Sequence, residues 1–235
     1  PVIDLCGGVD AARLEVGLEV RRAVSDVGFF QVVNHGVPMD VVHALEKNGS
    51  LLSPPSFKEK PFCQEGYETV YRSAVERGCE AHDIGAPDKY GRLAKLLEGA
   101  GTDLSVFVSA AHALGDSLLR HLLPSDPRPT KAGAKVLVYH SRQSLGCSLP
   151  EHTDDSVLTL VAQDRVGGLE CRLDQHGHIT GVPKSWVSIS PAPDAFIVNT
   201  GEHLKSHFTP VTHRVMRAAA FQTRVSLPVF IGFKE

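Results

Sequence analysis

The sequence predicts a mainly β protein with flanking helices, an α+β chain built on a sandwich or jelly roll. Three observations predict it. The front half carries apolar residues at helical spacing; from about residue 131 onward the period changes to that of short strands; and Gly, Pro, Asp and Ser turns separate those strands. A helical front followed by many short strands suggests a β core with helices packed outside.

In the first segment, Leu14, Leu18 and Val24 recur at near-helical spacing between Asp10, a candidate N-cap, and Gly28, a candidate stop. Phe29 to Val33 reads as a strand closed by Asn34-His35-Gly36. Met39 to Lys47 reads as a second helix that Asn48-Gly49 should end. The stretch from Ser53 to Gly101, with Pro54-Pro55 and scattered glycine and charge, reads as loops with short helices. A long helix follows, with its apolar stripe at Leu104, Phe107, Ala111, Leu114, Leu118 and Leu122 and its stop at Pro124. Strands are then expected over Lys135–His140, Ser156–Gln163, Gly168–Leu173, Trp186–Ser190, Ala195–Asn199, His213–Met216 and Arg224–Ile231. There is no internal repeat and no long linker. One domain over 1–235 is therefore expected, with a helical part over 1–130 packing on a β core over 131–235.

Composition excludes several functions. Apolar residues make up 42% and charged residues 22%, values of an ordinary folded chain, and the net charge is −3 with no basic cluster for nucleic acid. No apolar run approaches the ~20 residues that span a bilayer, so no membrane partner is expected. The five cysteines, Cys6, Cys63, Cys79, Cys147 and Cys171, have no C-x-x-C spacing and read as reduced thiols in a cytoplasmic protein.

The chemistry concentrates in His152-Thr153-Asp154, His213-Arg214-Val215 and Arg224-Val225-Ser226. Two imidazoles and one carboxylate can hold a redox-active Fe(II) and leave coordination positions open. On a strand, His152 and Asp154 would project to one face. With 12 histidines in the chain, an isolated H-x-D is a weak signal, and His203 and His207 rival His213 as the third ligand. His176 and His178 flank Gly177 in a hairpin turn. Arg224, on an otherwise apolar strand, needs an anion, either a bound carboxylate with Ser226 as a second donor or an internal Asp or Glu.

The ordered motifs resemble the Fe(II)- and 2-oxoglutarate-dependent dioxygenases, in the subgroup of isopenicillin N synthase and the plant flavonoid, gibberellin and ACC oxidases. Pro1 to Leu5 resembles the opening strand, and Gly28 to Pro38 the G-F-F-x-x-x-N-H-G-V-P signature. His152-Thr153-Asp154, Leu158-Thr159-Leu160, Gln163-Asp164 and Val166-Gly167-Gly168-Leu169 resemble the H-T-D to V-G-G-L core. Val198 to Glu202 resembles V-N-x-G-[DE], and the last two motifs resemble H-R-V and R-x-S.

The resemblance implies a double-stranded β-helix (cupin-like jelly roll) with Fe(II) on His152, Asp154 and His213. It also implies 2-oxoglutarate on Arg224 and Ser226 with help from Tyr139, and a structural role for His35. O2 would be the oxidant, with ascorbate in support, and a small molecule of secondary metabolism the substrate of a monomeric enzyme. Hydroxylation, desaturation and cyclisation share this chemistry. The alternatives are an oxidase of the same fold that uses no 2-oxoglutarate, or a non-catalytic small-molecule-binding relative. Leu137 and His140 depart from the Asn and Pro that flank the family's tyrosine. Phe196, Leu137 and the Tyr67 to Arg72 loop are candidate pocket walls.

Overall fold

The computed structural model describes residues 1–6, 14–51, 79–84, 91–125, 129, 131–140, 146–173, 185–218 and 222–232. Two sheets face each other. The larger has the order β1-β2-β9-β6-β11-β4-β3, built from β1 (Val2–Asp4), β2 (Phe29–Val33), β3 (Cys79–Asp83), β4 (Lys131–His140), β6 (Leu158–Gln163), β9 (Phe196–Thr200) and β11 (Thr223–Gly232). The smaller has the order β5-β10-β7-β8, from β5 (Cys147–His152), β7 (Leu169–Arg172), β8 (Trp186–Ser188) and β10 (His213–Met216). Every pairing is antiparallel except that of β1 with β2. This is the two-sheet, double-stranded β-helix core of the expected fold.

Helices α1 (Leu14–Asp26), α2 (Asp40–Leu51) and α4 (Leu104–Leu122) cover the outer face of the larger sheet, and the short α3 spans Arg92–Leu96. Both faces of that sheet are therefore buried. Phe30, Val136, Leu160, Val198, Val225 and Leu227 pack toward the helices. Their strand neighbours Phe29, Leu137, Val161, Ile197 and Phe230 pack toward the smaller sheet, as period-two alternation requires. Helix α4 starts where the Asp103 side chain accepts the Ser105 N–H at 2.7 Å, an N-cap, and it ends just before Pro124.

The structure corrects four expectations. Helix α2 does not stop at Asn48-Gly49 but runs to Leu51; Gly49 lies so close to β11 that a Cβ there would stand 2.4 Å from Val225 Cγ2. The Ser53–Gly101 region contains a strand, β3, at the sheet edge. Strand β5 was not anticipated, and Asp154 lies beyond its end rather than on it. Phe196 faces the helices, against Phe107 and His35, and not the cavity. Asp10, His176, His178 and the Tyr67 to Arg72 loop lie outside the described residues.

The Asn-His-Gly turn is structural, as expected. Asn34 takes a left-handed conformation (φ 56°), which asparagine tolerates, and donates to Asp4 Oδ1 at 2.8 Å. His35 Nδ1 accepts the Val37 N–H, so its Nε2 carries the proton and donates to the Asp194 carbonyl at 2.9 Å.

Candidate metal centre and anion site

Pairing of β5 with β10 sets His152 directly opposite His213, with ring centroids 4.2 Å apart. His152 Nδ1 stands 2.8 Å from the Pro150 carbonyl and His213 Nδ1 stands 3.0 Å from that of Val211. A carbonyl only accepts, so each ring carries its proton on Nδ1, and a neutral ring presents a bare Nε2. Both Nε2 atoms lie 3.6 Å from the same oxygen, Asp154 Oδ1.

Burial, then the neighbouring His213, pushes the His152 pKa down to about 4, so its Nε2 keeps a lone pair at neutral pH. Burial alone would raise the Asp154 pKa. The adjacent His213 and His152 and hydrogen bonds from Asn199 and Thr159 outweigh it and hold the carboxyl below its usual value. The Nε2 atoms of two imidazoles and one carboxylate oxygen thus converge on a single point. A divalent cation satisfies that arrangement, and Fe(II) suits two nitrogens and one carboxylate. Among the described residues this is the one group of three or more such side chains placed to hold a metal ion. His203 and His207 are excluded from it: His203 meets Asp155 at 2.9 Å and His207 meets Ser206, both on the surface.

The loop that carries Asp154 is braced by the end of β9. Gly201 N donates to Val157 O, Glu202 N to Asp154 O and His203 N to Ser156 O. A Cβ on Gly201 would lie 2.2 Å from Ser156 O and 2.8 Å from Asp154 O, so only glycine permits this approach. Asn199, one turn of the pleat earlier, donates from Nδ2 to Asp154 Oδ2 at 2.9 Å.

On the opposite sheet, register pairs Arg224 with Tyr139 and Ser226 with Leu137. Arg224 is 1% exposed. Its Nε donates to Gly167 O at 2.6 Å, Nη1 to Ser226 Oγ at 3.0 Å and Nη2 to Gln163 Oε1 at 2.8 Å. The positive φ of Gly167 (80°) and Gly168 (91°) forms the turn that aims that carbonyl. The guanidinium lies 5.0 Å from the centre of the Tyr139 ring, and the Tyr139 hydroxyl, whose pKa burial raises, bonds to Ser226 and Arg224.

Gly167 O, Ser226 Oγ, Gln163 Oε1 and the Tyr139 hydroxyl are all neutral; among the described residues no carboxylate forms an ion pair with Arg224, and the buried Asp164 is the carboxyl that feels its charge. With the Tyr139 hydroxyl counted, four of the five N–H groups have a partner, which leaves one for a bound anion. That N–H and the Ser226 hydroxyl beside it suit a bound carboxylate. One cavity joins this group to the metal ligands. Leu137, Leu149, Leu169, Val215 and Phe230 are among its walls, so Leu137 is a wall residue as expected.

Residues 118–233 match the 2OG-Fe(II) oxygenase superfamily, and residues 1–60 match the non-haem dioxygenase in morphine synthesis N-terminal region. The convergent His152, Asp154 and His213 lie within the first match. The chain belongs to the 2OG-Fe(II) oxygenase superfamily. It is 26% identical over 262 residues to 1-aminocyclopropane-1-carboxylate oxidase homolog 5 of Arabidopsis thaliana, covering 99% of this chain and 63% of that protein. It is 29% identical to gibberellin 2-beta-dioxygenase 5 of Oryza sativa subsp. japonica, covering 98% and 72%. Among solved structures, a full-length Neurospora crassa protein in complex with alpha-KG is similar at TM-score 0.73 and 16% identity, over 99% of this chain and 85% of that one. The 2-oxoglutarate binary complex of the Arabidopsis thaliana dioxygenase for auxin oxidation 1 has TM-score 0.71 and 21% identity, over 100% and 93%. The chain spans 63% and 69% of the length of the first two curated relatives. The superfamily's Fe(II) and 2-oxoglutarate fit the donor sets described above.

Sequence reasoning quoted Asn199, Gly201, Gln163 and Gly167 inside motifs but assigned them no task. Their tasks are contacts between distant segments, and neither periodicity nor residue type reports such contacts.

Proposed function

We propose that this chain is an oxygenase that couples the oxidation of an unactivated C–H bond in a small molecule to the conversion of 2-oxoglutarate and O2 to succinate and CO2. The observation that carries the reading is the pairing, in one cavity, of three convergent metal donors with a buried arginine that makes no ion pair among the described residues. Residues 1–235 act in it as one oxygenase unit.

His152 and His213 offer two neutral nitrogens and Asp154 one charged oxygen, which leaves a bound Fe(II) a net positive charge and open positions. When bound, the iron supplies oxygen activation, and 2-oxoglutarate supplies two of the electrons. Arg224 and Ser226 hold the far carboxylate of the co-substrate, and Tyr139 lies against the same pair. That fixes the co-substrate's reactive end toward the three metal ligands. The apolar walls exclude water from the reacting groups.

The test is succinate release with added Fe(II), 2-oxoglutarate and a panel of candidate small molecules, for the parent chain, Asp154→Ala and Arg224→Ala. Asp154→Ala should lose metal binding and activity. Arg224→Ala should keep metal and show a KM for 2-oxoglutarate raised about 10- to 100-fold or more, the loss of a charge-assisted pair worth about 1.5–3 kcal/mol or more. Oxygen uptake that proceeds without 2-oxoglutarate, or an active Asp154→Ala chain, overturns the proposal.

A further inference from the structure

We propose that Asn199 is a positioning residue that holds Asp154 as a one-oxygen metal ligand; the inference rests on the metal reading of the site. Strand β9 is buried along its whole length, and Phe196, Ile197 and Val198 are apolar. An amide in that row needs a reason. Asn199 is 1% exposed and lines the cavity. Its Nδ2 donates to Asp154 Oδ2 at 2.9 Å. A carboxylate only accepts, so the amide must turn its nitrogen toward Asp154, and its oxygen is fixed on the other side.

That oxygen is buried and makes no hydrogen bond among the described residues. An asparagine serving the strand alone would satisfy both ends, because an unmade buried hydrogen bond is costly. A valine or leucine would fill the place with neither donor nor acceptor. The amide is thus kept at a cost, and its hydrogen bond goes to the candidate metal ligand.

The consequence lies in which carboxylate oxygen remains. Asn199 engages Oδ2, while Oδ1 stands 3.6 Å from both imidazole nitrogens. Carboxylates bind metals through one oxygen or two. With Oδ2 held from behind, the one-oxygen mode is selected, and a coordination position stays available for incoming molecules. Register makes the hold firm: Asn199 pairs with Thr159 on one side and Phe29 on the other, and the Thr159 hydroxyl also bonds to Asp154.

The experiment is a Co(II) titration of the whole chain, stripped of metal, read by the ion's visible absorption, with thermal unfolding measured with and without Co(II). The chains are the parent, Asn199→Leu, Asn199→Ser and Asp154→Ala. The leucine variant keeps the asparagine's branching and removes the donor. The serine variant shortens the side chain and carries the same expectation should leucine not fold. The expected result is a Co(II) affinity lower by about 10- to 100-fold, the range for loss of a group that orients a metal ligand. An altered Co(II) spectrum, as Oδ2 joins the coordination, should accompany it. A merely structural role would lower the unfolding temperature equally in both states. A positioning role reduces the stabilisation that Co(II) confers. Co(II) affinity and spectrum like the parent's in the folded Asn199 variants, with binding still lost in Asp154→Ala, overturn the role of Asn199 alone. A parent chain that binds no more Co(II) than Asp154→Ala overturns the metal reading and this inference together.

Discussion

Replacing Gly201 by alanine adds one methyl group in a place where three distances say it cannot fit. The new Cβ would lie 2.2 Å from Ser156 O, 2.5 Å from Ser156 Oγ and 2.8 Å from Asp154 O. The backbone at Gly201 is extended, with φ −101°, a conformation any residue adopts, so the whole penalty is steric. The loop must move away from β9. The hydrogen bonds Gly201 N to Val157 O (3.1 Å), Glu202 N to Asp154 O (2.8 Å) and His203 N to Ser156 O (3.1 Å) stand to be lost or stretched. Each contributes about 0.5–1.5 kcal/mol net, and forced overpacking costs about 1–3 kcal/mol. Losing two of the three bonds with modest strain places the total at roughly 2–5 kcal/mol. With a urea dependence near the upper end of about 1–3 kcal/mol per molar, as a chain of this length has, the unfolding midpoint should fall by about 0.7–2 M. The displaced segment carries Asp154, so Co(II) affinity should fall in the same variant. A Gly201→Ala chain with the parent's urea midpoint and the parent's Co(II) affinity would refute the claim that this contact positions the ligand.

Two further predictions concern the larger sheet. Glu80, 1% exposed, is held by Arg92 through two bonds of 2.6 Å and by His140 and His82; burial alone would raise its pKa, but these partners outweigh it and hold the carboxyl well below the carboxylate range. A depressed folded pKa gives stability that is fully present above the unfolded value and lost as pH falls through the folded one. Glu80→Gln should therefore be less stable than the parent at neutral pH by about 3–5 kcal/mol, and the gap should narrow as both are unfolded in urea at successively lower pH; a gap constant with pH would contradict this. Gly49→Ala, with its methyl group 2.4 Å from Val225 Cγ2, should cost about 1–3 kcal/mol and weaken 2-oxoglutarate binding through β11, and Val225→Ala in the same chain should recover part of both, as urea midpoints and a co-substrate titration would tell.

Residues whose environment follows from their own strand period were legible in the sequence. His213 at the head of a strand, Arg224 and Ser226 on one face, and the α4 stripe all follow from spacing. Strand β3 was hidden because its pattern is inverted: Glu80 and His82 are buried, satisfied by Arg92 and His140 from other elements. Polarity therefore read as loop. Strand β5 contains Pro150 and no clean alternation, so its pairing with β10 is set by the partner strand rather than by its own residues. Phe196 was a parity error. On a strand buried on both faces nothing in composition says which residues look inward, and one step reverses the answer. Gly49 was misread because a glycine that ends a helix and one that lets a helix approach a strand are the same letter.

The two sheets divide the chemistry between them. His152 and His213 belong to the smaller sheet, Arg224, Ser226 and Tyr139 to the larger, and Asp154 to the loop that crosses from one to the other. At one side two imidazole Nε2 atoms and a carboxylate oxygen converge, an arrangement suited to a cation. At the other a buried guanidinium is hydrogen-bonded by neutral groups, with no ion pair among the described residues, an arrangement suited to an anion. A buried charge without a directly paired counter-charge is costly, so each side is more stable when its ion is present than when it is not. A ligand that chelates the cation at one end and carries a carboxylate at the other satisfies both sides at once, and 2-oxoglutarate has that form. Co-substrate binding should thus be stronger with metal than without it, and metal binding stronger with co-substrate by the same factor.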